Sequence, residues 1–295
     1  MRITSHGHSC VALDHAGTTL TLDPGTFADT ATALDAPGTL LVTHAHPDHL
    51  DVEAVQAALD RDPEVRVIGP QAVFDRLGRT PDDARFVLVE PGDVLTVGSF
   101  SVLVGGGQHA LIHPDVPRVA NLTYLVAAGG VRVYHPGDSF SPPLTDDRLD
   151  VLFAPVSAPW MKVAEGIDFV RSLDPWTVVP IHEAILSQAG LGLVHRLFGE
   201  ARTGGTYDFR PLGVGERYDA TPQHLTEETA MGEDPTPDGP LHRDPEAVAE
   251  AILREHPEFD QVPAIEIDET VPPRPEEEAA DAAREEGATG AGVAP

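Results

Sequence analysis

LLVTHAHPDHL, residues 40–50, sets three histidines and an aspartate within six positions, directly after the apolar run TLLVT at 39–43. A continuous apolar run followed at once by polar residues is how a buried strand ends at a site. His44 and His46 are two apart, so in an extended segment both side chains leave on the same face. Pro47 then forces a turn, which swings Asp48 and His49 toward the same point. Neutral imidazoles and carboxylates together suit zinc, manganese or iron.

Outward from this segment, residues 2–4, 11–14 and 18–22 read as short strands, with His15-Ala16-Gly17 as a hairpin turn. Residues 52–59 have helical spacing, 65–68 read as a strand and 71–77 as a helix. A second strand series follows at 86–89, 94–97, 100–104, 121–126 and 131–134, the last two flanking the turn Ala128-Gly129-Gly130. Strand 151–154, helix 164–173, strand 177–181 and helix 185–198 complete the body. Two batches of strands, each followed by helices, predict an α+β fold. The expected form is a four-layer αββα sandwich, two sheets face to face with helices outside.

The 295 residues are 41% hydrophobic, enough for a core, and carry a formal net charge of -29. Residues 219–295 hold 21 acidic and 4 basic side chains, while residues 1–218 hold 27 and 15. Such a field repels phosphate backbones and anionic membranes, so the expected partner is a small-molecule substrate, with no nucleic acid and no membrane. Cys10 is the only cysteine, which excludes an intramolecular disulfide. MRITSHGHSC has no apolar signal-peptide core and no window suits a membrane helix, so the expected location is the cytoplasm. The hydrolase domain is expected to span 1–218. Residues 219–295, rich in proline, glycine and acids, predict a mostly disordered tail. A short helix is expected at 244–256, with Asp244 as N-cap and Pro245 in the first turn.

HAHPDH at 44–49 resembles the H-x-H-x-D-H signature of the metallo-β-lactamase superfamily. HGHSC at 6–10, LDPG at 22–25, YHPGDS at 134–139 and PIH at 180–182 follow in the expected order. The set looks most like the UlaG-like branch of small metal-dependent hydrolases, and more distantly like the N-acyl-phosphatidylethanolamine phospholipase D group. The resemblance implies a two-metal centre. His44, His46 and His109 would hold one ion, Asp48, His49 and His182 the other, and Asp138 would bridge them. His113 is the alternative to His109; otherwise it and Asp115 would shape the pocket mouth. His8 and Asp23 are candidates to orient metal-bound imidazoles from behind, as carboxylates commonly do, and His135 is a weaker candidate of the same kind. Trp160 would stack on substrate or pack a lid, and Lys162 would neutralise an anionic group. Two ions sharing a water lower its pKa to about 7. The expected nucleophile is therefore a bridging hydroxide, with Asp48 orienting it. The expected reaction is hydrolysis of an ester, lactone, amide or phosphodiester of a small metabolite. A phosphodiesterase is the runner-up, and a catalytically silent metal-binding module with a partner-recruiting tail is the alternative from another class.

Overall fold

Side-chain alternation along each strand sorts the apolar residues of this computed structural model into three clusters. The structure describes residues 1–79, 83–200 and 207–223. The expected tail helix at 244–256 lies outside the described residues, as does the tail beyond 223.

The first sheet contains β1 (Arg2–Gly7), β2 (Cys10–His15), β3 (Thr18–Leu22), β4 (Thr39–Leu41), β5 (Arg66–Gly69) and β6 (Phe86–Leu88) side by side in chain order. The first three are antiparallel and the rest join in parallel. Between them run α1 (Thr30–Ala33), α2 (Val52–Arg61) and α3 (Gln71–Leu77). The second sheet repeats the plan. Its strands β7 (Val94–Val97), β8 (Phe100–Gly106), β9 (Leu122–Ala128) and β10 (Val131–His135) are antiparallel. Then β11 (Val151–Pro155), β12 (Thr177–Ile181) and β13 (Asp208–Phe209) join in parallel, with α4 (Val163–Leu173) and α5 (Gln188–Glu200) as crossovers. The last strand, β14 (Arg217–Asp219), returns to the first sheet and pairs antiparallel with β1, Asp219 opposite Arg2. The body therefore runs past residue 218: Asp219 is in the sheet and Ala220 is buried, its N–H donating to Met1 O.

Leu41 and Ile68 face the other sheet, where they meet Val104, Tyr124 and Phe153. Their neighbours Leu40, Val42 and Val67 point the opposite way, onto Val55, Leu59 and Phe74 of α2 and α3. In the second sheet Leu152, Ala154 and Val178 likewise face Phe169 and Val170 of α4 and Phe198 of α5. A period of two makes each parallel strand apolar on both faces. That explains the uninterrupted runs TLLVT and VLFAP, and it yields the four-layer αββα sandwich. No helix among the described residues is long and apolar enough to cross a membrane.

Several boundaries shift by one to three residues from expectation, and one helix start and one added helix have a clear local reason. The helix predicted at 185–198 begins at Gln188, because residues after His182 form turns first. The short α1 has no apolar periodicity to announce it; Asp29 caps it by accepting from Thr32 N.

Phe153 is fully buried between the sheets. Replacing it with alanine should leave a cavity and cost about 3–5 kcal/mol in urea unfolding. An unchanged midpoint would show that the inter-sheet core is placed wrongly.

Candidate metal centre

Every ligand-type side chain of the centre is delivered just beyond a strand end, where the chain must turn away from the sheet. Three of these turns use the left-handed backbone region with ordinary residues: His8 after β1 (φ 51°), Asp23 after β3 (φ 44°) and His182 after β12 (φ 65°). Such conformations cost roughly 1–3 kcal/mol each and persist where surroundings over-determine them. Gly25 of LDPG shows why that loop passes so close to HPDH: a Cβ there would fall 1.8 Å from Asp48 O. Gly137 supplies the turn before Asp138 (φ 55°), and its missing Cβ makes room for Asn121 Oδ1.

The folded chain brings two groups together. His44, His46, His109 and Asp138 place ligand atoms within 4.8 Å of one another, and so do His8, Asp48, His49 and His182. Asp138 reaches both groups. Its Oδ2 is 3.2 Å from His109 Nε2, and its Oδ1 is 2.9 Å from His49 Nε2 and 3.1 Å from His182 Nε2. Asp48 Oδ2 stands 3.4 Å from His182 Nε2 and 3.8 Å from His49 Nε2. His44 Nε2 and His46 Nδ1 are 3.1 Å apart.

The donor atoms fit divalent cations. Nε2 of His49, His109 and His182 and Oδ1 of Asp138 are buried, yet none is aligned for a hydrogen bond despite the short separations. Buried polar groups without partners are rare and call for an explanation. Four such atoms converging, on imidazoles and a carboxylate, match ligands arranged around ions.

Behind this shell, Asp23 is fully buried. Its Oδ1 accepts from Thr43 N, and its Oδ2 accepts from the Thr43 hydroxyl and faces His49 Nδ1, all at 2.7 Å. Asn121 holds the Asp138 loop, accepting from Asp138 N at 2.9 Å and donating to Pro136 O at 3.0 Å. His135 serves the same loop: its Nε2 donates to Ser9 O and its Nδ1 accepts from Gly137 N. Arg118 grips His109 O through Nε at 2.9 Å and Nη2 at 2.6 Å. Asp23 and His135 were candidates in the sequence, and of the two only Asp23 stands behind an imidazole of the groups; Thr43, Asn121 and Arg118 were not singled out. Thr43 and Asn121 carried one weak signal, a polar residue at the margin of a buried strand.

Burial sorts the remaining candidates. His113 is exposed and outside both groups, whereas His109 is buried within one. Asp115 is also exposed, pairing with His113 at 3.6 Å. Trp160 is buried, and its Nε1 donates to Asp138 Oδ2 at 2.9 Å. It therefore orients the shared carboxylate and cannot present its ring to substrate from there. Lys162 is exposed and pairs with Glu165 at 3.6 Å in the first turn of α4, which leaves it no role at the ligands.

Electrostatics separates the two groups. Burial and the neighbouring His49 hold His44 well below the ordinary imidazole value, and burial with His109 lowers His46. Burial also acts downward on His182, but Asp138 and Asp48 outweigh it and raise the group to about 9. At His49 burial is likewise outweighed, here by Asp138 and Asp23, and the group lies well above the usual value. Burial raises Asp48 and Asp138, yet the surrounding histidines outweigh it and keep both below the usual carboxylate range.

A profile for the beta-lactamase superfamily domain matches residues 2–182. Protein Rv0786c of Mycobacterium tuberculosis is 35% identical over 214 residues, covering 72% of this chain and 96% of that protein. The probable L-ascorbate-6-phosphate lactonase UlaG of Salmonella paratyphi B is 26% identical over 59% of this chain and 57% of its own length. The metallo-beta-lactamase fold protein YhfI of Bacillus subtilis superposes with a TM-score of 0.58 at 16% identity, covering 74% of this chain and 98% of that one.

Protons compete with metal for histidine nitrogen. Below about pH 9 a cation at His182 must displace a proton, and the raised His49 holds another, so its apparent affinity should fall by up to about tenfold per pH unit for each proton displaced. The lowered His44 and His46 impose no such penalty until more acidic pH. Metal analysis under a chelator from pH 8 to 5 should show one ion leaving before the other. Simultaneous loss, or flat occupancy, would contradict this electrostatic asymmetry.

Proposed function

The chain belongs to the metallo-β-lactamase superfamily, in the branch that includes UlaG, and from that premise we propose that it is a hydrolase holding two divalent ions. The convergence of unpartnered buried donor atoms on His49, His109, His182 and Asp138 carries this reading. His44, His46 and His109 would hold one ion, Asp48, His49 and His182 the other, and Asp138 would touch both. Zinc suits this nitrogen-rich set best, with manganese or iron as alternatives. Such ions supply Lewis acidity, activating water and polarising a carbonyl or phosphoryl oxygen.

The protein's own part is orientation and exclusion. Asp48, half-buried at the edge of the centre, accepts a hydrogen bond from the attacking water and aims it. Trp160 holds Asp138, and Asp23 holds His49, so neither ligand swings away as charge develops. The bond cleaved is an ester, lactone or phosphoester of a small metabolite; the name of the UlaG relative favours a lactone. A strongly acidic chain suits neither nucleic acid nor an anionic membrane as substrate.

Of the seven proposed ligands only His46 and Asp48 are not buried, so substrate is taken to arrive on that side. A 430 Å³ groove opens beside His46, lined by Ala45, Pro47, Ala72 and Val119 together with the charged pair Asp75 and Arg76. It receives an apolar substrate body, and Arg76 meets an anionic end.

A panel of nitrophenyl esters, simple lactones and a nitrophenyl phosphodiester tests the reaction class. Turnover lost by at least about a thousandfold in Asp48→Ala and His49→Ala is expected, in line with removal of a group that positions the reacting atoms. Stoichiometric metal with no turnover anywhere would favour a silent metal-binding module, and turnover of the phosphodiester alone a phosphodiesterase.

Filling the groove with Ala72→Trp should raise KM about tenfold for the best substrate, the equivalent of roughly 1.4 kcal/mol of lost binding, at unchanged metal content. An unchanged KM would place the substrate elsewhere.

A further inference from the structure

Four imidazoles of the centre share one polarity. His49 Nδ1 faces the Asp23 carboxylate at 2.7 Å, His109 Nδ1 the Ala110 carbonyl at 2.6 Å and His182 Nδ1 the Ser157 carbonyl at 2.5 Å. His44 Nδ1 faces the Thr43 hydroxyl at 2.9 Å, and that hydroxyl spends its own hydrogen on Asp23. Each partner is an acceptor. Each Nδ1 therefore carries the proton and each Nε2 offers a lone pair inward, the tautomer a metal ligand needs.

His8 is wired the other way. Its Nδ1 accepts from the backbone N–H of Ala184 at 3.3 Å, which requires a lone pair on Nδ1. The neutral ring then carries its hydrogen on Nε2, and that nitrogen lies 3.3 Å from Asp48 Oδ2. A nitrogen bearing hydrogen has no lone pair to give a cation. The placement is built into the fold. His182 N donates to His8 O at 3.1 Å, and the imidazole is held between Phe27, edge-on at 5.2 Å, and His182 at 4.1 Å. Its side chain is 0% exposed, so it reaches no substrate.

We propose that His8, although within ligand distance of Asp48, His49 and His182, is not a metal ligand but a positioning residue, donating Nε2–H to Asp48 Oδ2 and fixing that carboxylate at the second ion. The inference rests on the two-ion reading. It leaves Asp48, His49, His182 and Asp138 as the protein ligands of that ion, and the polar contacts of His8 are then fully used. His8 holds this contact from a left-handed backbone conformation, φ 51°.

Two measurements on the full-length, zinc-loaded protein decide it. Long-range proton–nitrogen NMR of histidine-labelled protein, with the His8 signals assigned by their loss in His8→Gln, should show an Nε2–H tautomer for His8 and Nδ1–H for His44, His49, His109 and His182. Chelator competition should show second-ion affinity within about threefold of wild type in His8→Gln, whose amide still donates. His8→Ala and His8→Asn should weaken it by about 10–100-fold, the usual effect of losing a partner behind a ligand, with the first ion unaffected. An Nδ1–H tautomer at His8, or a glutamine variant that loses the second ion as completely as alanine, would make His8 a ligand and overturn the proposal. Wild-type affinity in both His8→Ala and His8→Asn would overturn it as well. A wild-type chain that took up no second ion would sink the two-ion reading itself, an outcome separable from the other three. Because asparagine and glutamine both retain a polar side chain, their comparison stands even if the alanine variant does not fold.

Discussion

A carboxylate buried without compensation is among the most costly things a fold can contain. Asp23 is fully buried, and the centre is arranged around its compensation. It takes the backbone N–H and hydroxyl of Thr43, which ties down the end of β4 where the histidine segment begins. It also takes His49 Nδ1, which sets that ring's tautomer and direction. One side chain thus joins β3, β4 and the HPDH loop. Its position after the strand end LDPG, in a left-handed conformation, follows from the need to face back toward Thr43.

The same logic extends outward. Each imidazole that offers Nε2 to the centre is held by an acceptor at its rear, and those acceptors come from different loops: Asp23, Thr43, Ala110 and Ser157. Preorganisation of this kind lets ions bind without reordering the protein. The β-sandwich makes it possible, because every loop involved leaves a strand whose inner face is packed in the common core.

Trp160 and Lys162 fall in a loop expected beside the ligands, and only the fold decides their directions. Of the two readings open for Trp160, substrate stacking or packing, it takes packing, against Phe140. The indole turns inward to Asp138, since a buried N–H needs an acceptor and the carboxylate offers one. Lys162 turns out to solvent, where it pairs with Glu165. The helix expected from 185 starts later, because the left-handed backbone at His182 ends the strand and α5 begins only at Gln188.

The sequence by itself determined the layered fold and, through its resemblance to a known family, proposed the ligand roster. Two-faced apolar runs fall at regular intervals, and HAHPDH, GGGQH, HPGD and PIH each follow one of them. Local pattern suffices for the fold, because strand period and turn chemistry act between near neighbours. Only the tertiary structure decided which nitrogen of each histidine faces the centre. That choice depends on what sits behind the ring. For His44 and His109 it is the adjacent Thr43 or Ala110, brought into place by the turn. His49, however, is set by Asp23, 26 residues away, His182 by Ser157, 25 residues away, and His8 by Ala184, 176 residues away. HAHPDH therefore announces ligands, and the hydrogen bonds around it determine which histidines of the centre offer a lone pair and which one, His8, donates a proton.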